Sequence, residues 1–188
     1  MRKLTLLLCL LWAFGLSAQT VIRDVFQSIP DSIVPYLTEN NRLDMIDFMA
    51  SNMDAVVTNA LGGKSQMLAL TDQYTSIRLS ESSEIAMRLL DVPAPVDSLH
   101  QVLCVVRTYG SDIRESTVAF YSLLWRQLPT ADYFSQPDGS FVATLGQESD
   151  TLTLCQKSYI DVLLKEEQEE AKETSIILKW SNGFVKKD

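Results

Sequence analysis

Acidic side chains recur along one predicted helix, and their spacing is the first sign of chemistry in this chain. Asp44, Asp47, Ser51 and Asp54 follow one another at offsets of three, seven and ten, so they share one helix face. Such a stripe could bind a cation or supply paired acid/base carboxylates. Calcium, however, needs about six to eight oxygen ligands wrapped around it, which one helix face cannot provide. We therefore interpret the stripe as the solvated face of an amphipathic helix.

A second candidate is Gly62-Gly63-Lys64-Ser65, which resembles the end of a phosphate-binding loop. The full motif requires a glycine five residues before Gly63, where this chain has Thr58. The motif also requires a preceding strand, which the sequence pattern does not predict here. We therefore predict a simple turn between a helix and a strand.

His100 is the only histidine, and this limits the possible chemistry. It excludes a multi-histidine zinc site, and any serine or cysteine nucleophile would have to use His100 as its base. No Gly-x-Ser-x-Gly motif accompanies it, so we interpret it as a surface histidine at a strand entrance. A glycosidase-like carboxylate pair stays open because acids are plentiful, but nothing singles out a pair. The sequence thus assigns no catalytic, cofactor-binding or metal-binding residue, and no cofactor.

The first eighteen residues have the pattern of a signal peptide. A basic start, Met1–Lys3, precedes the apolar run Leu4–Leu16, which is too short to span a bilayer. We expect cleavage after Ala18, with cleavage after Ser17 as the alternative. Cys9 lies inside the run rather than at its end, so we expect no lipid anchor. The sequence predicts an exported protein without a membrane anchor.

The net charge of the chain limits its possible partners, and its cysteines could form a disulfide if its compartment is oxidising. The formal net charge is -8, and removal of Arg2 and Lys3 leaves 14 basic against 24 acidic side chains, or -10. Such an acidic chain repels phosphate backbones, so we expect no nucleic-acid binding. Cys104 and Cys155 remain after cleavage, which permits one disulfide in an oxidising compartment, while two buried thiols are the alternative.

Hydrophobic periodicity predicts helices followed by strands. Apolar residues at helical spacing predict helices over Val21–Ile29 and from Arg42 to about Val57. Two runs that are apolar on both faces predict central strands joined by a hairpin at Tyr109–Asp112, with helices on one side and another layer on the other. The predicted strands are Tyr74–Leu79, Glu84–Leu89, Val102–Val106, Val118–Trp125, Phe141–Leu145, Thr151–Cys155 and Ile176–Trp180.

A last helix is predicted over Tyr159–Lys172, with the pair Lys165 and Glu169 on its exposed face. We predict one α+β domain over residues 19–188, whose size of about 170 residues suits a single core. N-terminal helices and the late helix pack on an antiparallel meander sheet, of which a curved half-barrel is one form.

Several runs resemble an uncharacterised family of small exported proteins from Bacteroidales, the domain of unknown function family 3256. These runs are Asn40–Phe48, Leu61–Ser65, Val105–Gly110 and Glu115–Thr117. The resemblance covers essentially the whole mature chain. It implies a location in a Gram-negative envelope, with the periplasm as the compartment, and it implies no activity, cofactor or site residue.

Two functions follow as expectations. We favour a non-catalytic periplasmic or envelope module that binds an envelope protein or an apolar ligand, because catalytic motifs are missing and apolar content is ample. The alternative is a small exported hydrolase that uses a carboxylate pair. If the protein binds a partner, the aromatic residues to inspect first are Tyr109, Phe120, Tyr121 and Trp125, whose other interpretation is ordinary core.

Overall fold

A seven-stranded antiparallel sheet organises the protein. A computed structural model describes residues 20–156 and 174–186. The strands of this first sheet follow chain order, so it is a meander, and it ends openly at β1 and β7. They are β1 Val56–Thr58, β2 Lys64–Leu70, β3 Tyr74–Ser80, β4 Ser83–Val96, β5 Leu99–Tyr109, β6 Glu115–Tyr121 and β7 Gln127–Leu128.

A second, four-stranded antiparallel sheet follows in the order β11-β10-β9-β8. A short 3-10 helix, Thr130–Asp132, precedes it. Its strands are β8 Val142–Leu145, β9 Thr151–Gln156, β10 Thr174–Trp180 and β11 Phe184–Lys186. The sequence predicted β8, β9 and β10 but not β11, and it placed them in one meander with the earlier strands. That was wrong, because their apolar residues pack face to face against the first sheet instead of extending it.

Two helices, α1 Ile22–Gln27 and α2 Glu39–Ala50, cover the opposite face of the first sheet. The prediction that α2 runs from Arg42 to Val57 was wrong at both ends. Thr38 and Asn41 exchange reciprocal side-chain hydrogen bonds of 3.2 Å and start the helix earlier. Asn52 adopts a left-handed φ of 54° and ends it, which frees Val56–Thr58 to pair as β1.

The first helix and the strand after the hairpin were also predicted too long. The first helix ends at Gln27 rather than Ile29, and β6 ends at Tyr121 rather than Trp125. A tight turn over Ser122–Arg126 follows β6, reverses the chain and leads it into β7, which pairs with β6. The predicted last helix, with Lys165 and Glu169, lies outside the described residues. Across the part of the chain that the structure does describe, no helix is long and apolar enough to cross a membrane.

Strand β5 is the point where the layers meet. Leu103 and Val105 join the cluster beneath the helices, whereas Val102, Cys104 and Val106 join the cluster beneath the second sheet. These five residues are 0 to 2 % exposed. The apolar pattern on both faces of the strand, which predicted a central strand with two covering layers, is confirmed.

Two buried arginines fix the outer layers. Arg42 on α2 donates to the carbonyls of Gln27 (3.2 Å) and Leu37 (2.9 Å) and to the Asp31 carboxylate (3.0 Å). These contacts hold the chain between α1 and α2. Arg88 on β4 binds the hairpin between β8 and β9 on the other face of the sheet.

We predict that Val105→Asp lowers the free energy of unfolding by at least about 3 kcal/mol, because no partner is available for a buried carboxylate. Thr117→Asp, an exposed neighbour on β6, is the matched control and should stay within about 0.5 kcal/mol of wild type. Urea unfolding measures both. Slow amide exchange over Val102–Val106 should accompany the result, and fast exchange there would contradict the central position of β5.

Candidate functional site

Asp44 and Asp47 lie on the solvent side of α2, but the prediction that Ser51 and Asp54 continue the same helix face was wrong, because the helix ends at Ala50 and Ser51 caps it. Asp44, Asp47, Ser51 and Asp54 are all exposed, while Met45 and Ile46 on the opposite side are buried. Within residues 20–156 and 174–186, no three His, Cys, Asp or Glu side chains come together as they would around a metal ion. The stripe therefore offers no assembled site.

The glycine-rich run forms the turn between β1 and β2. The strand that follows was predicted, whereas the element that precedes the turn is a strand and not the predicted helix. Asn59 organises the turn: its Oδ1 accepts the amides of Leu61 (3.0 Å) and Gly63 (3.1 Å). Ser65 is buried and donates to the Leu79 carbonyl at 2.7 Å. These groups satisfy one another within the turn, so the run acts as a structural connection.

Among the described residues, His100 and the two cysteines do not come together in a metal site, and no disulfide joins Cys104 to Cys155. His100 is exposed near the tip of the β4–β5 hairpin, where Nδ1 lies 3.3 Å from the Val92 carbonyl. Cys104 is a free thiol in the centre of β5, and burial raises the pKa of that thiol. It is therefore not bridged to Cys155 on β9, and its burial makes it a poor nucleophile.

The four aromatic residues singled out by the sequence do not form one surface. Phe120 faces the second sheet and stacks on Tyr133 at a centroid distance of 4.9 Å. Tyr121 faces the helices and contacts Trp125 at 5.7 Å. Tyr109, at the far end of β5, is the one that is largely exposed. Phe120 and Tyr121 belong to the core and Trp125 packs against it, as the alternative interpretation had it, whereas Tyr109 does not.

A polar cleft of about 420 Å³ is formed where three distant segments meet. The segments are the start of the described chain, the turn between β2 and β3, and the tip of the β8–β9 hairpin. The lining residues are Thr20, Val21, Thr71, Asp72, Gln73, Arg88, Gln147 and Glu148. Sequence reasoning missed this cleft, because its residues are far apart in the chain and stand in turns without a motif.

Arg88 forms the buried wall of the cleft. Its side chain is 5 % exposed, and Nε and Nη2 approach Asp150 Oδ1 at 2.7 and 2.6 Å. Nη1 donates to the carbonyls of Gly146 (3.2 Å) and Gln147 (3.0 Å). These contacts fix the β8–β9 hairpin against the first sheet. The Asp150 carboxylate also neutralises the charge of Arg88. The arginine is therefore held in place and adds no unbalanced charge to the cleft.

The two remaining acids of the cleft, Asp72 and Glu148, are exposed. Neither carboxylate has a hydrogen bond or ion pair with another described residue. The backbone of Asp72 is fixed, because its carbonyl accepts the amide of Ile22 at 2.8 Å. The cleft thus contains two carboxylates without a partner among the described residues, and the backbone of Asp72 is fixed by a hydrogen bond.

A second feature is an exposed apolar corner beside the tip of the β4–β5 hairpin. Asp97 and Ser98 form the two-residue turn with φ of 50° and 70°, as a type I′ turn requires. Leu124 is 72 % exposed in the turn after β6, and Leu99 is 37 % exposed. We call the following exposed residues the corner surface: Pro93, Ala94, Pro95, Leu99 and Leu124.

An ion pair joins the two turns of the corner surface. Arg126 Nη2 donates to Asp97 Oδ1 at 2.7 Å. This hydrogen bond lowers the pKa of the Asp97 carboxyl, and a hydrogen bond from the Ser122 hydroxyl acts in the same direction. Trp125 has a strained φ of 62° and donates from Nε1 to the Val25 carbonyl at 3.2 Å. The corner is therefore fastened to the hairpin tip and to α1.

We predict a pH-dependent contribution from Asp97. A lowered folded-state pKa means that the contribution is present above the ordinary value of 3.8 and is lost as the pH falls through the folded value. Asp97→Asn, which keeps the tolerance for a left-handed φ, should therefore lower the Tm at about pH 5, and this deficit should shrink as the pH falls below 3.8. Arg126→Gln should behave in the same way. A deficit that does not shrink over this pH range would contradict this assignment.

Comparison with known proteins identifies relatives by fold and family. The fold is similar to that of a domain of an uncharacterised protein from Porphyromonas gingivalis W83, with a TM-score of 0.71 and 22 % identity over 88 % of this chain and 97 % of that one. No functionally curated protein matches the chain. The family described as "Protein of unknown function (DUF3256)" matches residues 13–152, which confirms the resemblance seen in the sequence. This chain belongs to that family.

Proposed function

We propose that this protein is a non-catalytic interaction module of the bacterial envelope that binds a protein partner through the corner surface. The single observation that supports this proposal is the exposure of apolar side chains at that corner, beside an ion pair that joins its two turns. Leu124 is 72 % exposed, although its neighbour Leu123 is buried in the core. The proposal places the protein in the periplasm, on the strength of the N-terminal sequence.

The physical argument rests on preorganisation. An apolar side chain that is exposed on a mobile loop loses conformational entropy when it binds, and this weakens the complex. At the corner surface, the Asp97–Arg126 ion pair and the Trp125 hydrogen bond already restrict both turns. Strained backbone at Trp125 persists only where its surroundings impose it, and such strain is enriched at functional positions. An anchor such as Leu124 would therefore bind at low entropic cost.

A protein partner suits these surfaces better than a small apolar ligand. The cleft is lined mainly by threonine, glutamine and charged side chains, whereas pockets for apolar ligands are lined mostly by apolar groups. The corner surface is built on a hairpin tip and a turn, and it exposes Leu99 and Leu124. Exposed apolar side chains of this kind suit a protein partner, whose interface would cover them.

We predict that Leu124→Glu reduces recovery of the bound partner from periplasmic extract at least tenfold, which corresponds to about 1.4 kcal/mol. The matched control is Leu61→Glu, because Leu61 is 74 % exposed in the β1–β2 turn, away from the corner surface. Both variants should keep the wild-type Tm. Equal recovery with both variants, measured by quantitative mass spectrometry, would sink the proposal.

A carboxylate-pair hydrolase is the second candidate, and the cleft gives it a specific observation. Asp72 and Glu148 lie in one cleft with no partner for either carboxylate among the described residues. Glycosidases use two such groups, one as acid and one as base or nucleophile. In those enzymes the general acid stands in apolar surroundings, whereas both carboxylates here are exposed. We therefore rank this candidate second.

We expect wild-type protein to hydrolyse a panel of 4-nitrophenyl glycosides no faster than the Asp72→Asn/Glu148→Gln double variant. Both substitutions are on the surface and should leave the Tm unchanged. If wild type turned over a substrate and either single variant lost about a hundredfold in kcat, the hydrolase would replace the interaction module as the function.

A further inference from the structure

Two partly exposed aromatic rings lie next to each other at one end of the second sheet. Tyr133 directly follows the short 3-10 helix, and Trp180 is the last residue of β10. Their ring centroids are 6.0 Å apart, and their planes differ by only 22°. Phe120 is fully buried and contacts both rings, with centroid distances of 4.9 Å to Tyr133 and 6.0 Å to Trp180. The two nearly parallel rings therefore rest on a buried aromatic base.

Hydrogen bonds hold both rings in place. Trp180 Nε1 donates to the Asp91 carbonyl on β4 at 2.7 Å. The Tyr133 carbonyl accepts the amide of Phe184 at 2.7 Å, which joins the 3-10 helix to β11. Gly183 passes so close that a Cβ there would lie 3.3 Å from the same carbonyl. Rings that are fixed in this way lose little conformational entropy when a ligand stacks on them.

Polar groups adjoin the two rings. The Tyr133 hydroxyl makes no hydrogen bond with another described residue. Asp91 Oδ1 accepts Gln101 Nε2 at 3.1 Å, whereas Oδ2 has no partner in the part of the chain that the structure describes. Asn182 is exposed in the turn that follows Trp180, and its side-chain amide is not bonded within the described ranges either. Donors and acceptors that can bind hydroxyl groups therefore adjoin the rings.

Aromatic faces beside such polar groups match the chemistry of a neutral sugar. A pyranose ring with equatorial substituents has axial C–H groups on its faces and hydroxyl groups around its edge. The C–H groups are attracted to the negative face of an aromatic ring, and the hydroxyl groups need hydrogen-bond partners. The net charge of -8 disfavours an anionic sugar or a nucleotide, and the polar groups disfavour a purely apolar ligand.

We propose that Tyr133 and Trp180 form a binding platform for a neutral, equatorially linked saccharide chain. The faces of the two rings bind the C–H faces of the sugar, and Asp91 and Asn182 bind its hydroxyl groups. This inference goes beyond the corner surface and does not depend on it, because the Leu124→Glu test leaves both rings unchanged.

The test is an NMR titration of the folded protein with cellohexaose and with chitohexaose, two neutral saccharides of this linkage. Trp125 and Trp180 are present whether or not the predicted signal peptide is removed. The indole N–H signal of Trp180, identified with Trp180→Phe, should shift saturably with at least one probe, with a Kd of about 1 mM or lower. The Trp125 signal is the internal control and should stay in place, because that indole donates to the Val25 carbonyl on the helix side of the first sheet.

Two variants of Tyr133 separate the aromatic face from apolar packing. Tyr133→Leu keeps an apolar side chain but removes the ring, so the Kd should rise at least about tenfold. Tyr133→Phe keeps the ring, so its Kd should stay within about threefold of wild type. Thermal unfolding of both variants shows whether a loss of binding reflects a loss of folding. Intermolecular NOEs from the rings of Tyr133 and Trp180 to the axial protons of the sugar keep the test decisive if Tyr133→Leu does not fold.

Four results would overturn the proposal. The first is no shift of the Trp180 signal with either saccharide at about 10 mM, which is well above the expected Kd. The second is an equal shift of both indole signals, which would indicate a non-specific effect of the sugar. The third is equal binding by folded Tyr133→Leu and Tyr133→Phe. The fourth is binding without NOEs to the two rings.

Discussion

Burial of one sheet on both faces is the constraint on which the rest of this structure depends. Strand β5 carries apolar side chains at every position from Val102 to Val106, so it has no face that water can cover. Helices α1 and α2 supply one cover, and the four-stranded sheet supplies the other. A buried strand of this kind cannot lie at an edge, and this places β4 and β6 on either side of it.

Polar groups hold the covering layers where apolar contacts alone would allow sliding. Arg42 binds the chain between the helices, and Arg88 binds the β8–β9 hairpin through Asp150. Each guanidinium directs several donors at fixed acceptors, which specifies geometry more narrowly than packed methyl groups do. Truncating Asp150 would leave a buried charge without its counterion, so such pairs constrain the structure even where their net stabilisation is small.

Both candidate sites lie where the layers end. The corner surface is the tip of β4–β5 together with the turn that follows β6, and the cleft is the gap between the β2–β3 turn, the β8–β9 hairpin and the entering chain. Turns at sheet ends carry exposed side chains beyond those that the core needs, although Asp97 and Asp150 in these turns pair with arginines. We therefore expect the function of this protein at these ends rather than on the acidic face of α2.

The sequence by itself determined the class of most of the longer elements and the central place of β5, because periodicity reports directly which faces are buried. It placed β1 inside a helix and did not indicate β11. It also indicated the family, and it gave no reason to treat Asp44 or His100 as catalytic. Helix and strand ends were misplaced, since a cap at Thr38 and a left-handed residue at Asn52 decide them locally. Only the tertiary structure decided that the late strands form a separate layer. It alone brought Asp72 and Glu148 into one cleft, because contacts between turns more than seventy residues apart leave no periodic trace in the chain.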